Sequence, residues 1–263
     1  MKSVISTTFD DTYLFYLPIT TWCWNKLGVD VICFMPKIKR GVDSIKIALI
    51  LDNISNIQIE RFDCHENKEP TYAQCARIYA AALDLPEDEI MITSDIDMLV
   101  FRQPEYKKEQ FFVYGHDLTP EGQYPICYLA ATVKSWRSAF DIKNKTPQQC
   151  LDVLLGNIEC DNMRGNYWCK DQEEVYKNIT GNVMINLIAR ARPGTQFASN
   201  RIDRDDAFWE DRLSPDIVDY HMHRPGYTEE NFKKILTVIQ YFYPNENLDW
   251  MKQYRNKYVK LIK

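Results

Sequence analysis

Two aspartates separated by one residue follow a short apolar run in the first half of the chain. The run at 89–93 predicts a buried strand, and Asp95 and Asp97 come directly after it. Two carboxylates held this close repel each other unless a cation lies between them. Oxygen ligands of this kind suit Mg²⁺ or Mn²⁺, which complete their coordination shell with substrate phosphates and water. A solvated turn is the other interpretation, but the position behind a strand favours a metal–diphosphate site.

The segments ahead of this pair alternate between strand and helix patterns. The predicted strands are 4–7, 29–34, 57–62 and 89–93, and the predicted helices are 11–27, 43–51 and 70–83. This alternation is typical of βαβ units and a mostly parallel sheet. Ligands bind at the carboxyl ends of the strands in such sheets. We therefore expect Thr7 and Thr8, at the end of the first strand, to lie near Asp95.

The second half of the chain is less regular. Its predicted strands are 111–114 and 124–133, its predicted helices are 134–137, 148–155, 171–188, 229–241 and 247–262, and 157–169 is predicted to be a loop. We find no internal repeat and no low-complexity linker. A chain of 263 residues can form one large α/β domain.

Composition excludes several classes of protein. The net charge of −5 argues against nucleic acid as a partner, and no apolar run approaches the length of a membrane span. The amino terminus is too polar for a signal peptide. The eight cysteines are scattered through apolar segments, as in a reducing compartment, so we expect a cytoplasmic protein. No glycine-rich phosphate loop is present, so a divalent cation would have to hold the phosphates.

The order of six segments resembles the GT-A fold of glycosyltransferases that use nucleotide sugars. Within that fold, the chain resembles the small glycosyltransferases encoded by chlorella viruses. The segments are Thr-Thr-Phe-Asp-Asp (7–11), Tyr-Ala-Gln-Cys-Ala-Arg (72–77), Ser-Asp-Ile-Asp (94–97), 124–136, Lys-Asp-Gln-Glu (170–173) and His-Met-His-Arg-Pro-Gly (221–226). The resemblance implies an α/β, Rossmann-like mixed sheet with helices on both faces and C-terminal helices. It also implies one domain, with a nucleotide-binding half at 1–100 and an acceptor-binding half at 101–263.

The resemblance assigns the metal ligands. Asp97 would bind Mn²⁺ or Mg²⁺, and Asp95 would contact the metal or the ribose. A late histidine would be the third ligand. His221 and His223 lie on one face of an extended segment, so alternation does not choose between them. His221 is favoured because Arg224 then falls three residues on, near the diphosphate.

Nucleotide binding would use the end of the first strand, through Thr7 and Thr8, together with Arg77. An arginine can reach a phosphate or ribose as a forked donor. The alternative for Arg77 is a surface ion pair with Asp52 or Asp84.

An inverting enzyme also needs a carboxylate that takes the proton of the acceptor hydroxyl. The resemblance implies Asp171 for this role, and a helix N-cap is its alternative. The acidic segment at 205–211 is the other candidate for the base. Within it, Asp206, Glu210 and Asp211 are expected to contact the donor sugar or the acceptor, with a solvated turn as the alternative.

Aromatic side chains suit an acceptor groove because sugars offer flat C–H faces to rings. Trp168 and Trp209 lie in polar segments beside the acidic ones and are the candidates, although most aromatic residues are expected in the core. Gln172 and His223 are further candidate substrate contacts.

Together these features predict a metal-dependent enzyme that moves a sugar, with xylose favoured, from a UDP-sugar to a hydroxyl of an oligosaccharide or glycoprotein glycan, with inversion. One alternative is a phosphohydrolase of the haloacid dehalogenase type, in which Asp95 would be the nucleophile. Leu99 stands where that family has Thr or Val, and the motif follows three βα units instead of one. Another alternative is a non-catalytic protein that binds nucleotide sugars or glycans.

Overall fold

The computed structural model describes residues 1–38, 41–104, 106–142, 144–156, 168–181, 184–189, 200–207 and 209–263. The strands are β1 (Lys2–Ser6), β2 (Asp30–Pro36), β3 (Ile57–Phe62), β4 (Ile90–Thr93), β5 (Met98–Val100), β6 (Phe111–Tyr114), β7 (Leu129–Thr132), β8 (Ile185–Ile188), β9 (Arg201–Ile202) and β10 (Asp219–His221). The helices are α1 (Asp11–Leu14), α2 (Leu17–Lys26), α3 (Gly41–Leu51), α4 (Glu69–Ala76), α5 (Val133–Ala139), α6 (Pro147–Leu155), α7 (Lys170–Ile179), α8 (Glu229–Phe242) and α9 (Asp249–Ile262). Short 3₁₀ helices cover Arg77–Ala82, His116–Leu118 and Trp209–Arg212.

Seven strands form one mixed sheet in the order β3-β2-β1-β4-β7-β6-β8. The first four are parallel, whereas β7 runs antiparallel to both β4 and β6. The central strands are buried on both faces, as parallel strands covered by helices must be. This arrangement confirms the predicted α/β class and the mixed sheet.

The two faces of the sheet contribute to two separate hydrophobic cores. Because side chains alternate along a strand, Val31 and Cys33 belong to one core while Ile32 and Phe34 belong to the other. The first core also contains residues of α2, α8 and α9, and the second contains residues of α4, α6 and α7. Helices on both faces and C-terminal helices are therefore confirmed.

A second, small sheet contains β5, the strand that directly follows Asp95 and Asp97. Its order is β5-β10-β9, with β10 antiparallel to β5 and parallel to β9. In this register His221 pairs with Met98, the residue that follows Asp97. The small sheet therefore holds a late histidine against the early aspartate pair.

Several predicted boundaries are wrong. The first helix is divided into α1, capped by the side chain of Asp10, and α2, which has a proline in its first turn. The helix predicted at 70–83 changes to a 3₁₀ helix at Arg77, and the strand predicted at 124–133 is only β7.

The helix predicted at 171–188 is also too long, because α7 ends at Ile179 and β8 begins at Ile185. Gly181, with φ 75°, adopts the left-handed backbone that commonly stops a helix. The loop predicted at 157–169 lies mostly outside the described residues. None of the described helices is both long and apolar enough to span a membrane.

Candidate functional site

A cavity of about 510 Å³ opens at the carboxyl ends of β1 and β4. Its size is that of a small-molecule binding site. We call it the central cavity. The sequence-predicted residues that line it are Thr7, Thr8, Arg77, Asp95, Asp97, Trp168, Asp171, Gln172, His221 and Arg224. The topology thus brings together residues from both halves of the chain.

Asp97 is the most densely contacted acid of the central cavity, and it is only 3% exposed. Its Oδ2 lies 2.7 Å from Nε of Arg224, 3.1 Å from Nη1 of Arg204 and 3.2 Å from Nε2 of His221. Burial alone would raise the pKa of Asp97, but His221 and Arg224 outweigh it, so the pKa lies below its ordinary value. Asp97 is therefore a buried anion held by cationic partners.

His221 is held at both ring nitrogens. Its Nδ1 lies 3.3 Å from Oδ2 of Asp203, and its Nε2 lies 2.6 Å from Nη1 of Arg204. Burial lowers the pKa of His221, whereas Asp97 and Asp203 raise it to about 10, which favours a charged ring. The guanidinium of Arg204, however, can only donate. A hydrogen bond from Arg204 to Nε2 therefore needs the neutral ring, whereas a hydrogen bond from Nε2 to Asp97 needs a proton on Nε2.

The donor set at this point fits a divalent cation. Asp97 Oδ2 and His221 Nε2 are close enough to contact one ion, and a carboxylate on the other ring nitrogen is the usual support of a metal-binding histidine. Among the described residues no three His, Cys, Asp or Glu side chains converge to hold a metal by themselves. Phosphate oxygens and water would have to complete the shell, as is common for Mg²⁺.

Arg77 joins two further acids of the central cavity, Asp95 and Asp171. It pairs through Nη1 with Asp95 and through Nη2 with Asp171, at 3.0 Å, and it also donates to the carbonyl of Ser94. Burial lowers the pKa of Arg77, but Asp95 and Asp171 raise it above its ordinary value. Because Arg77 is buried between these acids, the surface ion pair considered as its alternative does not form.

Asp171 is 1% exposed and lies in the first turn of α7. The N-cap of α7 is Cys169, so Asp171 is not the helix cap considered as its alternative. Its Oδ1 accepts from the backbone N–H of Gln172. Burial raises the pKa of Asp171, and Arg77 opposes that shift only in part.

Arg224 is held by contacts with Tyr13. Its guanidinium lies 4.9 Å from the ring centre of Tyr13 and donates to the hydroxyl of that residue. The segment before it is fixed as well, because the hydroxyl of Tyr16 donates to the carbonyl of His223 at 2.6 Å. Gly226 packs on the ring of Tyr16, where a Cβ would lie within 3.0 Å of Cε1, Cζ and Oη.

Five predicted site residues do not line the central cavity. His223 contacts the hydroxyl of Tyr220 through Nδ1 at 2.6 Å, and its ring lies against Trp209. Trp209 is 6% exposed and belongs to the first core, so the expectation that it presents a groove face is wrong. The remaining three are Asp206, which pairs with Arg212, and Glu210 and Asp211, which are exposed on the 3₁₀ helix.

Three residues that contribute to the site were not predicted from the sequence. Arg204 and Tyr13 line the central cavity, and Asp203 orients His221. The only sequence signal for Arg204 is a basic residue within an otherwise acidic segment. Its contact with Asp97 depends on the pairing of β9 with β10, which alternation does not predict.

Comparisons with known proteins give similarities to solved structures only. No family model matches, and no curated protein is similar in sequence. An active-site variant of LgtC is 12% identical with a TM-score of 0.48, over 90% of this chain and 95% of that one. The galactosyltransferase LgtC in complex with donor and acceptor sugar analogues is 11% identical with a TM-score of 0.47, over 98% and 96%.

The glycosyltransferase GlyE of Streptococcus pneumoniae, in its apo form, is 10% identical with a TM-score of 0.46. The similarity covers 98% of this chain and 63% of GlyE, so the chain spans less than two thirds of that protein. At these identities and TM-scores no residue role passes from these proteins to this chain.

Proposed function

We propose that this chain is a glycosyltransferase that moves a sugar from a UDP-sugar to a hydroxyl of a glycan. The observation that carries the proposal is the composition of the central cavity. One side presents Asp97, His221 and Arg224, and the other presents the bridged acids Asp95 and Asp171. A diphosphate fits the first side and a sugar with its reacting hydroxyl fits the second.

The diphosphate would contact Arg224, together with a Mn²⁺ or Mg²⁺ ion held by Asp97 and His221, with Asp95 close by. When bound, such an ion neutralises charge on the leaving diphosphate. Thr7 and Thr8, at the end of β1, would contact the nucleoside. In this proposal residues 1–100 bind the nucleotide and residues 101–263 bind the acceptor.

Asp171 is the proposed base. It would take the proton of the acceptor hydroxyl as the new glycosidic bond forms and the bond between the sugar and the diphosphate breaks, with inversion at the anomeric carbon. Its raised pKa favours proton uptake. Arg77 would orient it, since the two groups are paired inside the cavity.

The acceptor would bind beside α7. Trp168 lines the central cavity and is 50% exposed, so its ring is free to contact a sugar face. Gln172 lies next to Asp171 and also lines the cavity. UDP-xylose is the first donor to test, because of the resemblance to the chlorella-virus enzymes.

The test is incubation with a panel of UDP-sugars and Mn²⁺, with and without glycan acceptors, while UDP release is measured. We expect slow hydrolysis of one UDP-sugar, and transfer once a suitable glycan is present. NMR of the product gives its anomeric configuration. Retention would remove the inverting role of Asp171 without removing glycosyl transfer.

Binding of UDP separates the remaining parts of the proposal. Equal affinity for UDP before and after exhaustive chelation would overturn the metal dependence. Failure to bind UDP under any ionic condition would overturn the proposed function.

The phosphohydrolase alternative needs a free carboxylate at Asp95 for nucleophilic attack. That carboxylate is instead paired with the buried guanidinium of Arg77. Adding a generic phosphomonoester to the panel tests this alternative, and we expect no phosphate release.

A further inference from the structure

Three side chains, those of Arg204, His221 and Arg224, contact Oδ2 of Asp97 in the central cavity. Nη1 of Arg204 lies 3.1 Å from Asp97 Oδ2 and 2.6 Å from His221 Nε2, and these two atoms are 3.2 Å apart. The three atoms thus form a small triangle. A cation bonded to both Asp97 and His221 would come into close contact with the like charge of Arg204. The guanidinium of Arg204 and a divalent cation therefore exclude each other at this point.

Arg204 is the arginine of this group that has room to move. Its side chain is 26% exposed, in the turn that follows β9. Arg77 is 5% exposed and is held by two acids. Arg224 is 25% exposed, about as much as Arg204, but it is held by Tyr13 as well as by Asp97. In the part of the chain that the structure describes, the contacts of Arg204 are with Asp97 and His221.

The same side chain also faces the space where a diphosphate would lie. Arg204 lines the central cavity together with Arg224. A guanidinium displaced from Asp97 can pair with phosphate oxygens through two parallel hydrogen bonds.

We propose that Arg204 exchanges one anion for another: it neutralises Asp97 before the donor binds, and it turns to the diphosphate when a cation takes its place. The proposal rests on the proposed function, since it needs a nucleoside diphosphate in the central cavity. The cation alone must displace Arg204 without supplying phosphate oxygens in exchange. Cation and nucleotide together satisfy both groups, so each increases the affinity for the other.

The variant Arg204→Gln tests the exchange by calorimetric titration of Mn²⁺ with and without UDP. In the wild type we expect weak binding of Mn²⁺ alone and an increase of about tenfold when UDP is present, a typical size for coupled sites. In Arg204→Gln we expect Mn²⁺ alone to bind more tightly than in the wild type. UDP should bind less tightly, and the coupling should fall below the wild-type value to the part that direct contact between the cation and the phosphate oxygens supplies.

Two further variants keep the result interpretable. Arg204→Lys retains the charge without the forked donor and should keep part of the coupling, and it decides the matter if the Gln variant does not fold. Arg102→Gln removes an exposed arginine outside the central cavity and should leave both affinities unchanged.

The possible failures are distinguishable. Unchanged coupling in Arg204→Gln, or weaker binding of Mn²⁺ alone, would overturn the exchange while leaving the proposed function intact. Absence of UDP binding by the wild type would instead overturn the proposed function itself.

Discussion

The negatively charged side chain of Asp97 is almost completely buried. A buried carboxylate of this kind is costly unless it is paired, and here Arg204, His221 and Arg224 share the pairing. Replacing one of these partners leaves the others in place. Replacing Asp97 removes the anion on which all three converge.

We therefore expect Asp97→Asn to reduce Mn²⁺-dependent transfer by about 100-fold or more, because the charge that holds the cation is lost. The exposed Asp216→Asn is the matched control and should keep wild-type activity. Circular dichroism checks that both variants are folded. Wild-type transfer by Asp97→Asn would end the metal assignment.

Asp171→Asn keeps the shape of the side chain but removes its ability to take a proton. Transfer should fall by about 10²–10⁴-fold, whereas UDP affinity should stay close to that of the wild type. Activity assays and calorimetry measure the two effects separately. Normal turnover in this variant would overturn the base role of Asp171.

Trp168 is the aromatic residue of the central cavity with the largest exposed surface to offer. We expect Trp168→Ala to raise KM for the glycan acceptor several-fold while leaving donor hydrolysis unchanged. Trp250→Ala, outside the central cavity, is the comparison. A change in donor hydrolysis in Trp168→Ala would argue against an acceptor role.

At the level of elements, two short strands decide which late residues enter the site. Pairing of β10 with β5 sets His221 beside Asp97, and pairing with β9 adds Asp203 and Arg204. The segment after β10 is then fixed by Tyr16, which bonds to the carbonyl of His223. These contacts explain why His221, and not His223, faces the cavity.

Gly226→Ala places a methyl group within 3.0 Å of Cε1 of Tyr16, and such overpacking typically costs about 1–3 kcal/mol. We expect the segment to shift, carrying Arg224 with it, so that KM for the donor rises about tenfold. Gly41→Ala, where a Cβ would meet nothing within 4 Å, is the matched control. An unchanged KM in Gly226→Ala would show that the segment does not depend on this contact.

Sequence patterns predicted the elements whose periodicity is strong, and with them the end of the sheet where the cavity lies. They did not predict residues whose position depends on a very short strand or on packing between distant parts of the chain. Strand β9 has only two residues, too few for any alternation, so Arg204 could not be predicted from it. Trp209 occupies a polar segment, yet its ring is buried by tertiary packing that the local sequence does not record.

In the whole molecule, α9 braces the part of the chain that borders the central cavity. Tyr254 donates to the carbonyl of Phe15 at 3.0 Å, and their rings stack at 5.3 Å. Tyr258 donates to Asp11, the residue after the cavity-lining Asp10, at 3.0 Å. The last helix is thus part of the support for the first βα turn.

Tyr254→Phe keeps the ring but removes its hydrogen bond, so the free energy of unfolding should fall by about 1 kcal/mol. Urea unfolding followed by circular dichroism measures this difference. Tyr241→Phe, at an exposed position of α8, should change nothing. Equal loss of stability in the two variants would mean that the contact between Tyr254 and Phe15 does not contribute.

The packing of α9 against α1 also has a consequence for biosynthesis. The first core combines residues near position 15 with residues near position 254, so it closes only by contacts that are distant along the chain. A ribosome that has made the first 240 residues carries a nascent chain with that core still open. Apolar surface then stays exposed during translation, which makes this stage a natural point for chaperone binding.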